Sequence, residues 1–437
     1  MPVKTKCSLA DLSIFGGAPA YRKGRWVGRP NVGNREHLLA RMNALLDRAW
    51  LSNNGPFVQE FEQKIAQLSE TKHCVATNNG TGALEIAARA LGMTGEVLIP
   101  SYTFIATAHA LSWQGLRPVF CDISPDSYSI DVDDIERKIT ENTGGIVGVH
   151  VWGKTCDVDR LESLASRHNL PLLFDASHAL GCSHQSIMVG NFGDAEVLSF
   201  HATKVLNSFE GGAVLTNDTA LATRLSELRN FGFTDVDDFG SPGINAKMTE
   251  ACAAMGLTNI ESLGEFIRAN QRNYLQYRAR LHDIAGVNLL QFPENEANNY
   301  HYIVAEIDES KTGITRDDLF SALGTENIFA KKYFNPACHE FRPYRSASSQ
   351  DLYLDNTALA SARTLVLPAG AALSVDDVDT ICNVIKIIIK GAAAVRSRLL
   401  QLDQVENVPP IVTNSVLAKP QRETHPEPVM GIANQGP

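Results

Sequence analysis

Lys204 and Asp175 are the residues from which a chemistry can be built. In SFHATKVLNSFEGG (199–212) Lys204 stands among small, aromatic and hydroxyl side chains, with His201 and Glu210 as its only ionisable company. An amine in a low-dielectric pocket loses affinity for its proton, and a neutral lysine can form a Schiff base with a carbonyl. Asp175 closes the apolar run PLLFDA, and His178 follows three residues on. A carboxylate there either faces a ligand crevice or caps the following turn.

Both residues need a scaffold. Apolar, β-branched runs recur at HCVATN (73–78), EVLIPS (96–101), PVFCDI (118–123), IVGVHVW (146–152), PLLFDA (171–176), AEVLSF (195–200) and GAVLTN (212–217). Such runs suit strands buried on both faces. Helical patterns lie between most of them, which predicts a seven-stranded, mostly parallel α/β sheet wrapped by helices. Ligands bind outside the carboxyl ends of such strands, where Asp175 and Lys204 both fall. The spacing predicts an N-terminal segment (1–49), a large α/β domain (50–247), and a linking helix with a smaller α+β domain (248–398). Of the 19 prolines, 6 fall in the last 37 residues, so residues 399–437 read as a disordered tail.

Composition excludes several classes. A net charge of −10 argues against non-specific nucleic-acid binding, which needs a basic surface. No apolar run is long enough to span a membrane. The eight cysteines form no CxxC pair, which points to a reducing, cytoplasmic setting rather than a disulfide framework.

Three motifs invite other readings. GTGALE, after the first strand, is half of G-x-G-x-x-G, but Glu85 replaces the third glycine and the next strand ends without an acid. It remains a tight turn or a phosphate-holding helix start. GVHVWGKT (148–155) fits the P-loop pattern, which keeps an ATP-hydrolysing alternative open. However, Val149, His150, Val151 and Trp152 favour extended structure over the inward-turned nest a phosphate needs. They read as strand interior, with Gly153 starting the exit turn. His178, Cys182 and His184 lie close in sequence without a metal-ligand spacing, so no metal site is expected.

A Schiff-base lysine with a carboxylate is the minimum set for pyridoxal phosphate, an electron sink whose ring nitrogen needs a partner. Asp175 can supply that partner. Gly80, Thr81 and Gly82 at a helix start, with Ser199, can hold the phosphate, and Phe104 can cover the ring. KKYFNPACHEFRPYR (331–345) carries Lys331, Lys332, Tyr333 and His339 toward a sugar or its diphosphate, or is only a solvated basic loop.

With NNGTGALEIA (78–87), IPSYTFIATAHA (99–110), DASHALG (175–181), SFHATK (199–204), FEGG (209–212), GINAKMTE (243–250) and LVLPAG (365–370), the chain resembles the DegT/DnrJ/EryC1/StrS aminotransferases. These are pyridoxal-phosphate sugar aminotransferases of fold type I, the aspartate aminotransferase fold. The resemblance runs from about residue 27 to 390. It implies Lys204 as the covalent anchor, Asp175 at the pyridine nitrogen, His178 near the 3-hydroxyl and Phe104 on the ring. It implies Thr81, Gly82 and Ser199 at the phosphate, with Asn245 reaching it from a partner subunit, hence a homodimer with shared sites. DASH stands where the family often has DAAQ or DAAH, and FEGG where it often has GDGG. FHATK with FEGG resembles the branch acting at C4 of dTDP-4-keto-6-deoxyhexoses, with L-glutamate as amino donor. Lys204 separates the chain from dehydrating relatives that carry histidine there. A non-catalytic regulator that binds the cofactor is the remaining alternative.

Overall fold

The structure, a computed structural model, describes residues 6–345 and 353–405. Helix α1 (Pro56–Leu68) leads into strand β1 (His73–Thr77), and α2 (Gly80–Ala90) follows it directly. Then come β2 (Thr94–Pro100), α3 (Ile105–Ser112), β3 (Arg117–Cys121), β4 (Thr143–Val149), β5 (Leu172–Asp175), β6 (Ala195–Ser199) and β7 (Gly212–Thr216). These seven strands form one sheet in the order β1-β7-β6-β5-β4-β2-β3. All neighbours are parallel except β7, which runs antiparallel to both β1 and β6.

Alternate residues of β5 serve opposite faces of the sheet. Leu173 joins the core under α2 and α3, and Leu172 and Phe174 join the core under α1. With both faces covered, each strand needs an unbroken apolar run rather than an alternating one.

Helix α4 (Glu250–Leu281) starts on the cap that Thr249 makes to the Cys252 N–H. Its first half buries Ala253, Ala254 and Leu257 against α1, where Gly256 leaves room for the Phe61 ring. Its second half buries Tyr274, Tyr277 and Leu281 in a separate core. That second core holds a three-stranded antiparallel sheet, β8 (Val287–Leu289), β9 (Ile303–Ile307) and β10 (Thr364–Leu367), and helix α5 (Val375–Lys390). The shared helix explains why the described residues up to Leu399 pack as one compact unit. The N-terminal segment also belongs to this packing: Leu12, Ile14 and Tyr21 are buried in the second core, and buried Lys6 pairs with Glu326 at 2.9 Å.

Two expectations are corrected. The run 146–152 is strand only to Val149: the chain turns at His150, and Trp152 takes a left-handed backbone with φ 57°. A helix spans Ala392–Val405, past residue 398, where order was expected to end; residues 406–437 lie outside the described residues. No helix among the described residues is long and apolar enough to cross a membrane.

Candidate active site

Asp175, at the carboxyl end of β5, is buried. Both carboxylate oxygens are held. Thr107 Oγ1, from the first turn of α3, donates to Oδ2 at 2.8 Å, and the Ser177 N–H donates to Oδ1 at 3.1 Å. Since Thr107 spends its proton on Asp175, the 3.0 Å contact with Thr103 Oγ1 makes Thr103 the donor there. The carboxylate is thus a fixed anion that also caps its turn.

Lys204 follows β6, the strand beside β5. It keeps part of its surface open, yet the surrounding protein pushes its pKa down to about 8; the negative charge of Asp175 opposes the shift and the positive charge of Lys331 adds to it. Its loop is held from two sides. Asn31 Nδ2 donates to the Val205 carbonyl at 2.9 Å, and Asn207 Nδ2 donates to the Asn31 carbonyl at 2.7 Å. His301 Nε2 donates to the Thr203 carbonyl at 2.7 Å. Burial pushes His301 down to about 4, so it holds that carbonyl as a neutral ring.

His178 is oriented by the turn after β4. The Trp152 N–H donates to His178 Nδ1 at 3.1 Å. Nδ1 is therefore an acceptor, and the ring carries its proton on Nε2. Burial, with the Lys204 charge beside it, holds His178 well below the usual histidine range. Tyr302 packs on it at 4.4 Å between ring centres, and Phe334 lies parallel at 6.3 Å.

The start of α2 lies beside Ser199. A Cβ on Gly80 would stand 3.1 Å from Ser199 Cβ and 3.3 Å from its Oγ. The last glycine of FEGG has a steric reason: a Cβ on Gly212 would lie 2.5 Å from the Asn79 carbonyl, so β7 can pass this close only without a side chain. The Gly82 N–H is taken by Asn79 Oδ1 at 2.7 Å, and the Ala83 N–H by the Asn79 carbonyl. Gly80 and Thr81 are left as the first-turn donors without an intrahelical acceptor; Gly82 contributes room rather than a donor.

The remaining candidates are spread. Phe104 caps α3 and is 52% exposed, and Asn245 is exposed on this chain. Lys331 Nζ donates to the Tyr333 hydroxyl at 3.1 Å near Lys204. Lys332 instead pairs with Asp317 at 3.2 Å. His339 is fastened to Ser101 Oγ at 2.7 Å, by the end of β2. The P-loop reading fails on its own groups: the N–H groups of Trp152, Gly153 and Lys154 are spent on His178, His150 and Val151, and Lys154 Nζ donates to the Asp126 carbonyl at 2.9 Å. No cradle is left there.

Sequence reasoning missed Thr107, His301, Tyr302 and a buried histidine–carboxylate pair at the end of β4 and in β6. His150 Nε2 lies 3.2 Å from Glu196 Oε2, both fully buried, and the His150 ring stacks on Phe174 at 4.7 Å. The His150 N–H also donates to the Asp175 carbonyl at 3.0 Å, so this pair braces the end of β5.

Residues 33–386 match the DegT/DnrJ/EryC1/StrS aminotransferase family. The dTDP-4-amino-4,6-dideoxy-D-glucose transaminase of Shigella dysenteriae is 36% identical over 361 residues, covering 83% of this chain and 98% of the relative. GDP-perosamine synthase of Vibrio cholerae is 31% identical, covering 79% of this chain and 94% of the relative. The crystal structure of DesI, determined with its TDP-sugar product, superposes with a TM-score of 0.85 at 44% identity, covering 91% of this chain and all of that one. The chain belongs to the DegT/DnrJ/EryC1/StrS aminotransferase family.

Proposed function

We propose, taking membership of this family as the premise, that the chain moves an amino group from L-glutamate to C4 of a dTDP-linked 4-keto-6-deoxyhexose, with pyridoxal 5′-phosphate resident. The observation that carries the reading is a partly buried lysine with a pKa near 8 and a doubly held buried aspartate at adjacent strand ends, beside a helix start that faces Ser199.

The residues present fit the cofactor. Lys204 offers a neutral amine for its aldehyde, Asp175 a fixed negative charge for its ring nitrogen, and Phe104 an open ring face. His178 offers an Nε2–H donor for its ring oxygen. Gly80 and Thr81 offer N–H groups, and Ser199 a hydroxyl, for its phosphate, where the helix dipole also favours an anion. When bound, the cofactor supplies an electron sink that lets a proton leave the donor's α-carbon.

The protein's own part follows from its groups. Asp175 would keep the ring nitrogen protonated, because two hydrogen bonds hold its carboxylate in place. With the cofactor bound, Lys204 Nζ would take the α-proton and return a proton to the carbon two bonds away, across the nitrogen; a pKa near 8 leaves a workable neutral fraction at neutral pH. His178, locked neutral, donates without competing for that proton. Asn245 suits a reach into the site of a second copy, which supports a homodimer with shared sites. Six buried cysteines kept as thiols suit the cytoplasm.

The test is a visible spectrum of the purified holoenzyme, then L-glutamate, then dTDP-4-keto-6-deoxyglucose, with a GDP-linked 4-keto-6-deoxyhexose in parallel. The reading expects a yellow band that bleaches with release of 2-oxoglutarate and returns as an amino-sugar nucleotide forms. Absence of any band after incubation with the cofactor would overturn it.

A further inference from the structure

We infer that Lys331 reads the α-carboxylate of the amino donor and so makes the site select α-amino acids over simple amines; this rests on the transaminase reading above. Two consecutive lysines meet opposite surroundings. Lys332 is neutralised by Asp317 and lies 5.1 Å from the centre of the Phe320 ring. Lys331 donates to the Tyr333 hydroxyl and lies 5.1 Å from that ring's centre, and among the described residues no carboxylate lies within 4.0 Å of its ammonium. A half-buried ammonium held by a hydroxyl and a ring, with no carboxylate beside it, keeps a place for an anion. An anionic ligand supplies what is missing.

Its mounting is rigid. The Lys331 N–H donates to the Val366 carbonyl at 2.9 Å, and the Val366 N–H to the Lys331 carbonyl at 2.8 Å, which ties it to β10. The following residues pack on the site: Tyr333 lies 6.5 Å from Tyr302, and Phe334 lies parallel to His178. The positive charge of Lys331 is felt at Lys204, His201 and His301.

Geometry of the substrates chooses the anion. The donor's amine must come to where Lys204 acts, and its α-carboxylate hangs from the same carbon. The diphosphate of a nucleotide-linked sugar is held away from C4 by the width of the sugar ring. A cation beside Lys204 therefore meets the α-carboxylate first.

Three donors separate the cases, because 4-aminobutyrate is glutamate without its α-carboxylate and L-2-aminobutyrate is glutamate without its side-chain carboxylate. The holoenzyme and its Lys331→Gln and Lys331→Arg variants are titrated with each, reading the bleaching of the cofactor band in single turnover. Binding without turnover is read with α-methyl-L-glutamate, which has no α-proton. Losing a charge-assisted contact should raise half-saturation about tenfold or more for L-glutamate and L-2-aminobutyrate in Lys331→Gln, and less than about twofold for 4-aminobutyrate. α-Methyl-L-glutamate should weaken alongside glutamate, and Lys331→Arg should keep most of the affinity. Equal losses for glutamate and 4-aminobutyrate, or unchanged donors with a weakened sugar-nucleotide half-reaction, would overturn the assignment. A wild-type holoenzyme that reacts with none of the donors would strike the transaminase reading rather than Lys331.

Discussion

Thr107 Oγ1 donates a 2.8 Å hydrogen bond to Asp175 Oδ2, which joins the first turn of α3 to the end of β5 inside the core. The bond fixes the plane of the carboxylate proposed to face the cofactor's ring nitrogen. Thr107→Val keeps the shape and removes the donor. Leaving a buried carboxylate oxygen unsatisfied should cost about 1–3 kcal/mol in denaturant unfolding. Turnover should fall with it, and Thr107→Ser should restore both. Unchanged stability and turnover in Thr107→Val would show that Asp175 is held well enough by Ser177 alone.

Lys204 should be a liability to the fold. Its pKa falls from 10.5 to about 8 on folding. Below pH 8 both states carry the charge, and the folded state bears the desolvation cost. Between pH 8 and 10.5 the unfolded chain holds more protons, so the cost fades as pH rises. The cofactor-free Lys204→Met variant should therefore melt higher than wild type at pH 7 and lose that advantage by about pH 10.5. It should also have no measurable transamination. A variant that melts lower than wild type at pH 7 would contradict the shift.

His178 should not titrate in the working range. Its Nδ1 accepts from the Trp152 N–H and its surroundings disfavour the cation. Nitrogen-15 imidazole spectra should show one neutral tautomer with the proton on Nε2, unchanged over about pH 5.5–8.5. A ring that protonates near pH 6.5 would contradict this and add an acid limb to the rate profile.

The pair His150–Glu196 should be costly to break. Glu196 Oε1 also accepts from the Gly190 and Phe192 N–H groups at 2.6 and 2.8 Å. Glu196→Gln should destabilise by about 1–3 kcal/mol, since its NH2 group would face the buried His150 Nε2–H in place of an acceptor. The Cys156 N–H donates to His150 Nδ1 at 3.1 Å, so the ring carries its proton on Nε2 and turns it toward Glu196. Equal stability of wild type and Glu196→Gln in denaturant unfolding would refute the pairing.

The sheet was legible because its strands are buried on both faces, so PLLFDA and GAVLTN stand out as continuous apolar runs. Their direction was not, since an apolar run reads the same either way, and the antiparallel insertion of β7 depends on what precedes it in space. The turn at His150 hid behind strand-forming residue types; Trp152 bends left-handed there while its N–H is spent on a histidine 26 residues away. Asp175 and Lys204 were legible by their places at run ends. Thr107 was not, because a hydroxyl in IATAHALS looks like filler until α3 is laid against β5. Lys331 and Lys332 are alike in sequence, and only Asp317 and Tyr333 tell them apart.

Strand β1 lies at the edge of the sheet, and its one neighbour there is β7. During synthesis the segment 73–77 emerges early and waits for residues 212–216 before it has anything to pair with. The intervening strands β2 to β6 can pair among themselves first. An unpaired apolar edge exposed through that delay is a place for nascent chains to associate wrongly. Slower translation between the two strands should then worsen recovery of active protein, and a chaperone that shields extended apolar segments should repair it.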